Sequence, residues 1–160
     1  MILYHGSNVI VDSPKIIKTE LGRDFGFGFY TTDIKEQAVR WAKRKSKLLN
    51  SDCGYISIFE IDDNIFQELN YKSFPEPSLE WLDMVCNCRA NKDFTHNFDI
   101  VSGKIANDNV GETVTYVLRG IMRKEDAVER LKFEQINNQI CFNTEKALKH
   151  LKFIGFEECR

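Results

Sequence analysis

Short β-rich runs and amphipathic helical runs follow one another along this chain without the strict strand–helix–strand alternation that a doubly wound parallel sheet requires. That order confines the fold to the α+β class. Ile2-Leu3-Tyr4 predicts a short strand ending in His5-Gly6-Ser7, and Val9, Val11 and Ile16-Ile17 predict a second extended or mixed segment broken by Pro14. A helix is expected from Asp33, as its cap, to about Leu49, because Ala38, Trp41, Ala42, Lys45 and Leu49 recur at helical spacing. Tyr55 to Asp62 is β-rich and bounded by Gly54 and the Asp62-Asp63-Asn64 turn signal, so it is expected as a strand. Pro75 and Pro77 end a loop, Ser78 caps a helix over Leu79 to about Cys88, and Phe98 to Ser102 is another short strand. Asn107-Asp108-Asn109 reads as a turn before helices at about Glu112 to Leu118 and Lys124 to Leu131. Two strands, Gln139 to Phe142 and Phe153 to Glu157, flank a helix that Thr144 opens and that runs to about Leu151.

No repeat, low-complexity tract or linker interrupts the 160 residues, so residues 1–160 are expected as one domain. Twelve Phe, five Tyr and two Trp can fill a sizeable core for a chain of this length. No apolar stretch approaches the roughly 18 residues of a membrane span, and Met1 to Asn8 lacks the basic start and apolar run of a signal peptide. A cytoplasmic protein without a membrane partner is therefore expected. Cys53, Cys86, Cys88, Cys141 and Cys159 are an odd, scattered set with no CxxC and no histidine at zinc spacing, so they read as reduced packing thiols and no metal is expected. A formal charge of −2 supplies no global field toward nucleic acid or acidic lipid; any such contact must be local.

Most catalytic signatures are absent: there is no GxxxxGK[ST], HExxH or GxSxG, and His5, His96 and His150 are far apart. The run Phe25-Gly26-Phe27-Gly28-Phe29-Tyr30 fails as a dinucleotide fingerprint, since Thr31 stands where a third glycine belongs. Its two glycines among aromatics mean either a backbone that approaches something flat or bulky, or a glycine-kinked strand in an aromatic core.

Three pieces in order narrow the choice. Tyr4-His5-Gly6-Ser7 ends the first strand; Gly28-Phe29-Tyr30-Thr31-Thr32-Asp33 follows, with Trp41 eleven residues after Tyr30; Asn138-Gln139-Ile140-Cys141-Phe142 begins a late strand. In these residues the chain resembles the ADP-ribosyltransferase superfamily, in the His-Tyr-Glu branch that includes diphtheria toxin and the poly(ADP-ribose) polymerases. It looks closest to a family of small bacterial proteins of unknown function, placed within that superfamily, with Gln139 at the position of the usual glutamate. The resemblance is tight over about residues 3–42 and loose over 138–142.

The resemblance implies a split sandwich of two small antiparallel sheets that grips NAD in a cleft. It implies that Gly6 offers its backbone to the nicotinamide carboxamide, that His5 bonds a ribose hydroxyl beside Ser7, and that Tyr30 and Trp41 sandwich the nicotinamide ring. His5, Tyr30 and Gln139 would be the catalytic set. Gln139 can bond the ribose 2′-hydroxyl but brings no charge to an oxocarbenium-like centre. Arg23 and Asp24 are placed near the adenylate half, and Phe133, Glu134, Gln135 and Asn137 occupy the loop that would meet the acceptor. The implied activity is transfer of one ADP-ribose from NAD to a protein or nucleic acid, releasing nicotinamide. A toxin–antitoxin or phage-conflict role, with an antitoxin partner, is plausible by analogy. The alternatives are a non-catalytic NAD or ADP-ribose binder, or an interaction protein whose motifs only pack: Tyr30 as a packing tyrosine, Trp41 as a helix anchor, His5 as a satisfied strand-end histidine. The basic residues Lys35, Arg40, Lys43, Arg44, Lys45 and Lys47 would meet phosphates or form a solvated helix face.

Overall fold

The computed structural model describes residues 1–20, 22–105, 108–132 and 137–160, without the side chains of 104–110. It is an α+β fold with two small sheets. The first sheet is antiparallel, in the order β1 (Ile2–Ser7), β3 (Gly54–Glu60), β7 (Lys152–Cys159). The second has the order β2 (Phe29–Thr31), β6 (Asn137–Phe142), β5 (Ile100–Ile105), β4 (Tyr71–Phe74). Two antiparallel sheets were expected, but this one is mixed, because β4 runs parallel to β5. That strand has only four residues before Pro75, too few for a period-two signal, and its partner lies far along the chain.

Strand alternation divides the apolar side chains between two cores. Leu3, Phe59 and Ile61 from the first sheet meet Phe29, Ile140 and Phe142 from the second. The other face of the second sheet, carrying Val101 and Cys141, packs with Trp81, Leu82, Val85, Val114 and Leu131. These come from α3 (Leu79–Ala90), α4 (Asp108–Leu118) and α5 (Lys124–Leu131). Ser78 caps α3 by accepting from the Trp81 N–H at 3.1 Å, as its position predicts. Thr144 does the same for Ala147 in α6 (Glu145–Leu148).

Helix α1 (Lys35–Leu48) lies on the outer face of the first sheet, where Gly6 and Gly54 let its backbone come close. A methyl group on Gly6 would overlap the Ala38 carbonyl and stand 2.9 Å from the Ala42 nitrogen. Asp33 does not cap this helix: Ile34 holds that position, and Asp33 instead accepts from the Asn138 amide at 2.9 Å. Residues 8–20 form no strand where an extended or mixed segment was expected; their Val11 N–H donates to Ser57 Oγ, in the middle of β3, at 2.8 Å. Two short elements were not foreseen in full: α2 (Ile65–Glu68), and the start of α4 at Asp108, where a turn was expected. Among the described residues no helix is long and apolar enough to cross a membrane.

Candidate functional site

Beside the core they share, the two sheets are joined among the described residues by one backbone bridge, beyond which their edges diverge. Tyr4 and Thr32 exchange backbone hydrogen bonds at 2.8 and 3.0 Å. Since Tyr4 spends its N–H and C=O on β2, the antiparallel alternation turns those of Gly6 to the same edge, beyond the end of that contact. One step after the junction, the His5 ring takes over from the backbone: Nδ1–H donates to the Tyr30 carbonyl at 2.7 Å. A carbonyl only accepts, so the Nδ1 proton is assigned, and the neutral ring presents Nε2 as an acceptor. Burial, seconded by the charges of Lys45 and Arg23, holds the His5 pKa down to about 4 against the hydrogen bond to Tyr30. The ring also stacks on Phe29 at 4.3 Å between centroids. His5 is thus a fixed, uncharged acceptor at physiological pH.

The wedge between the diverging strands opens into a cavity of about 420 Å³, within the range that holds small-molecule ligands. His5, Ser7, Arg23 and Tyr30 line it together. Lys15 and Lys45 also line it, and among the described lining residues there is no carboxylate. Burial, with the Arg23 charge nearby, lowers the Lys45 pKa. Val9, Val11 and Ile17 of the 8–20 segment add an apolar wall, and Ile17 is 69% exposed.

The glycine-rich segment forms the opposite wall and is fastened from several sides. The Tyr30 hydroxyl accepts from the Phe25 N–H at 3.0 Å and donates to the Gly26 carbonyl at 2.5 Å. Asn143 donates to the carbonyls of Phe25 and Phe27, at 2.8 and 3.0 Å. His96 Nε2 donates to the Phe25 carbonyl at 2.9 Å, while its Nδ1 accepts from Phe98 N–H. Asp24 is buried and ion-paired with Arg89 of α3 at 2.5 Å, which takes it away from the adenylate contact suggested by its position. Gly28 passes so close to β6 that an added methyl would meet the Cys141 sulfur at 2.5 Å. With its hydroxyl held in the loop, Tyr30 offers the cleft its ring, and the Arg23 guanidinium sits 6.0 Å from the ring centroid.

Gly6, Trp41 and Gln139 do not line the cavity. Gly6 faces α1 with its Cα and the open strand edge with its amide groups. Gln139 lies on β6, paired with Gly103 of β5, two residues from Cys141, the partner of Tyr30, and on the same face of the sheet. Its Oε1 is buried and has no hydrogen-bond partner. Asn137 accepts from Arg40 at 2.7 Å. Phe133, Glu134 and Gln135 lie outside the described residues.

A family model described as "protein of unknown function (DUF3990)" matches residues 1–153. The chain belongs to this family. The DUF3990 match covers nearly the whole length and every strand except most of β7. No curated protein and no solved structure matches the chain.

Several contributors to this DUF3990 site carried no sequence signal. Asn143 and Gln37 act through partners more than 100 positions away: Gln37 is fully buried, donating to the Asn138 carbonyl at 2.8 Å and accepting from its N–H at 3.0 Å. Asp99 serves the fold. It accepts from the Asn70 N–H and the Thr144 hydroxyl, and these bonds keep its carboxyl below its ordinary range although burial pushes it the other way. Among the described residues no group of His, Cys, Asp or Glu is arranged to hold a metal. All five cysteines are free; burial raises the Cys86, Cys88 and Cys141 thiols, which suits packing rather than reactivity.

Proposed function

We propose that the cleft binds NAD and transfers its ADP-ribose to a macromolecular acceptor, releasing nicotinamide. The observation that carries this reading is the neutral, acceptor-presenting His5 at the head of a cleft lined by three cations and no carboxylate. A neutral hydrogen-bond acceptor suits a ribose hydroxyl, and Lys15, Arg23 and Lys45 suit a diphosphate. The open amide edge at Gly6 offers one donor and one acceptor side by side, the complement of a carboxamide. The resemblance of His5-Gly6-Ser7 and Gly28 to Asp33 to the His-Tyr-Glu transferases joins these features into one ligand, NAD, as co-substrate without a metal.

In the reaction, the bond from the ribose C1″ to the nicotinamide nitrogen breaks, and nicotinamide leaves neutral with the bonding pair. A nucleophilic atom of the acceptor forms the new bond to C1″ and loses its proton to water. Gln139 supplies hydrogen bonding without charge; its Oε1 is buried and unpartnered outside the cavity lining, so its side chain must turn toward the cleft to accept from a sugar hydroxyl. Tyr30 presents its ring to the nicotinamide, held at one angle by its bonds to Phe25 and Gly26.

A second reading, a non-catalytic NAD or ADP-ribose binder, is favoured by the lack of any carboxylate among the described lining residues. Nicotinamide release and thermal stabilisation by NAD separate the two. Wild type that releases nicotinamide faster than Gln139→Ala, with Gln139→Glu raising hydrolysis, supports transfer. Stabilisation by NAD with no release supports the binder, and neither response refutes both.

A further inference from the structure

Helix α1 carries six basic residues and one acidic residue, Glu36, in a chain whose formal charge is −2. Their arrangement is one-sided. Arg40, Lys43, Arg44 and Lys47 follow the i, i+3, i+4, i+7 spacing and are all exposed, so they form a stripe about 100° wide along one face. Lys35 stands apart, paired with Glu157 at 2.7 Å. Arg40 bonds only the neutral amide of Asn137 among the contacts shown here, which leaves its charge in place.

Like charges at these spacings destabilise a helix by about 0.2–0.5 kcal/mol per pair. The helix dipole accounts for Lys45 and Lys47 in the last turn, but not for Arg40 and Lys43 further back. Around the helix, at about 100° per residue, the stripe is followed by half-buried Trp41 and then by Lys45, which lines the cleft. Beyond it, Arg44, Lys47 and the 77% exposed Leu48 border a surface groove of about 470 Å³. The basic stripe, half-buried Trp41 and the cleft-lining Lys45 thus succeed one another around the helix.

We propose that this face of α1 docks the acceptor and that the acceptor is single-stranded nucleic acid. The phosphodiester backbone would run along Arg40, Lys43, Arg44 and Lys47. A base would cross over the Trp41 indole toward the cleft, the combination of basic track and aromatic platform by which single strands are held. A duplex fits less well, because its bases are stacked away from both indole and cleft. What happens to the bound strand rests on the transferase reading above; the docking does not.

Fluorescence anisotropy with labelled single-stranded RNA and DNA of about 20 nucleotides, without NAD, tests the docking on its own. Binding is expected at about 50 mM salt and should weaken steeply with added salt. The triple variant Lys43→Ala, Arg44→Ala, Lys47→Ala should bind at least ~10-fold more weakly and lower the salt slope by roughly 2, at about 0.7 per lost phosphate contact. Its melting temperature should hold or rise as repulsion is removed, and Lys43→Arg with Lys47→Arg should keep full affinity. The RNA and DNA arms then decide which strand is preferred. No binding at low salt, or equal binding by the triple variant, overturns the proposal whether or not NAD binds. So does a label from NAD, in a lysate, that protease removes and nuclease does not. Failure to bind NAD would instead strike the cleft reading and leave strand binding as measured.

Discussion

Acidification should unlock the head of the cleft through one residue. His5 is held at about 4 in the folded chain against an ordinary value of 6.5, mainly by burial. The folded state therefore favours the neutral ring. The stability this represents is fully present above pH 6.5 and is lost as pH falls toward the folded value. At about 1.36 kcal/mol per pH unit, the contribution lost relative to pH 7 is about 2 kcal/mol at pH 5 and about 3 kcal/mol at pH 4. Carboxylates titrate in the same range, so the quantity to measure is a difference. Urea unfolding of wild type and of His5→Asn, whose amide can still donate to the Tyr30 carbonyl, should be followed from pH 7 to pH 4. Wild type should lose stability relative to the variant by those amounts, which corresponds to roughly 6–12 °C in melting temperature at pH 4 for a chain of this size. Two pH profiles that stay parallel within about 0.5 kcal/mol would show that His5 is not a buried neutral ring, and the acceptor assigned to Nε2 would go with it.

Three substitutions test other parts of the site. Tyr30→Phe keeps the ring but strands the Phe25 N–H and the Gly26 carbonyl, so calorimetry should show a loss of about 2–4 kcal/mol, with faster hydrogen exchange at 23–28; unchanged melting would mean the hydroxyl does not hold the loop. Gly6→Ala forces a methyl into the Ala38 carbonyl and should cost about 1–3 kcal/mol or more by chemical denaturation, whereas an unaffected midpoint would contradict the close packing of α1 on β1. Gln139→Leu removes a buried acceptor that has no partner, so ligand-free stability should hold or rise by up to ~1 kcal/mol while nicotinamide release falls at least ~10-fold; a clear loss of stability would show that Oε1 is bonded in the fold.

Local signals were the legible part of the fold. The Ser78 and Thr144 caps act within three residues, and α1 and β3 carry long periodic patterns, so each could be read from its own segment. The parallel pairing of β4 with β5, the course of residues 8–20 and the redirection of Asp33 from helix cap to Asn138 depend on partners the local sequence does not contain. The same division runs through the site. His5, Ser7, Arg23 and Tyr30 sit in short motifs and converge on one cavity. Lys15 joins them only because the 8–20 segment folds across the sheet, and Lys45 because α1 packs on β1 at the height Gly6 permits. Trp41 and Gln139 were placed by resemblance alone, and both stand beside the cavity lining rather than in it.

Calorimetric titration of NAD into the wild-type protein, into His5→Ala and into a Lys45→Ala, Arg23→Ala pair measures the cleft most directly. One site per chain is expected, with affinity at least ~10-fold lower in His5→Ala and also lower in the Lys45→Ala, Arg23→Ala pair, because a hydroxyl partner and two phosphate partners are lost in turn. No heat of binding, or the same affinity in all three proteins, would contradict the assignment of this cleft to NAD.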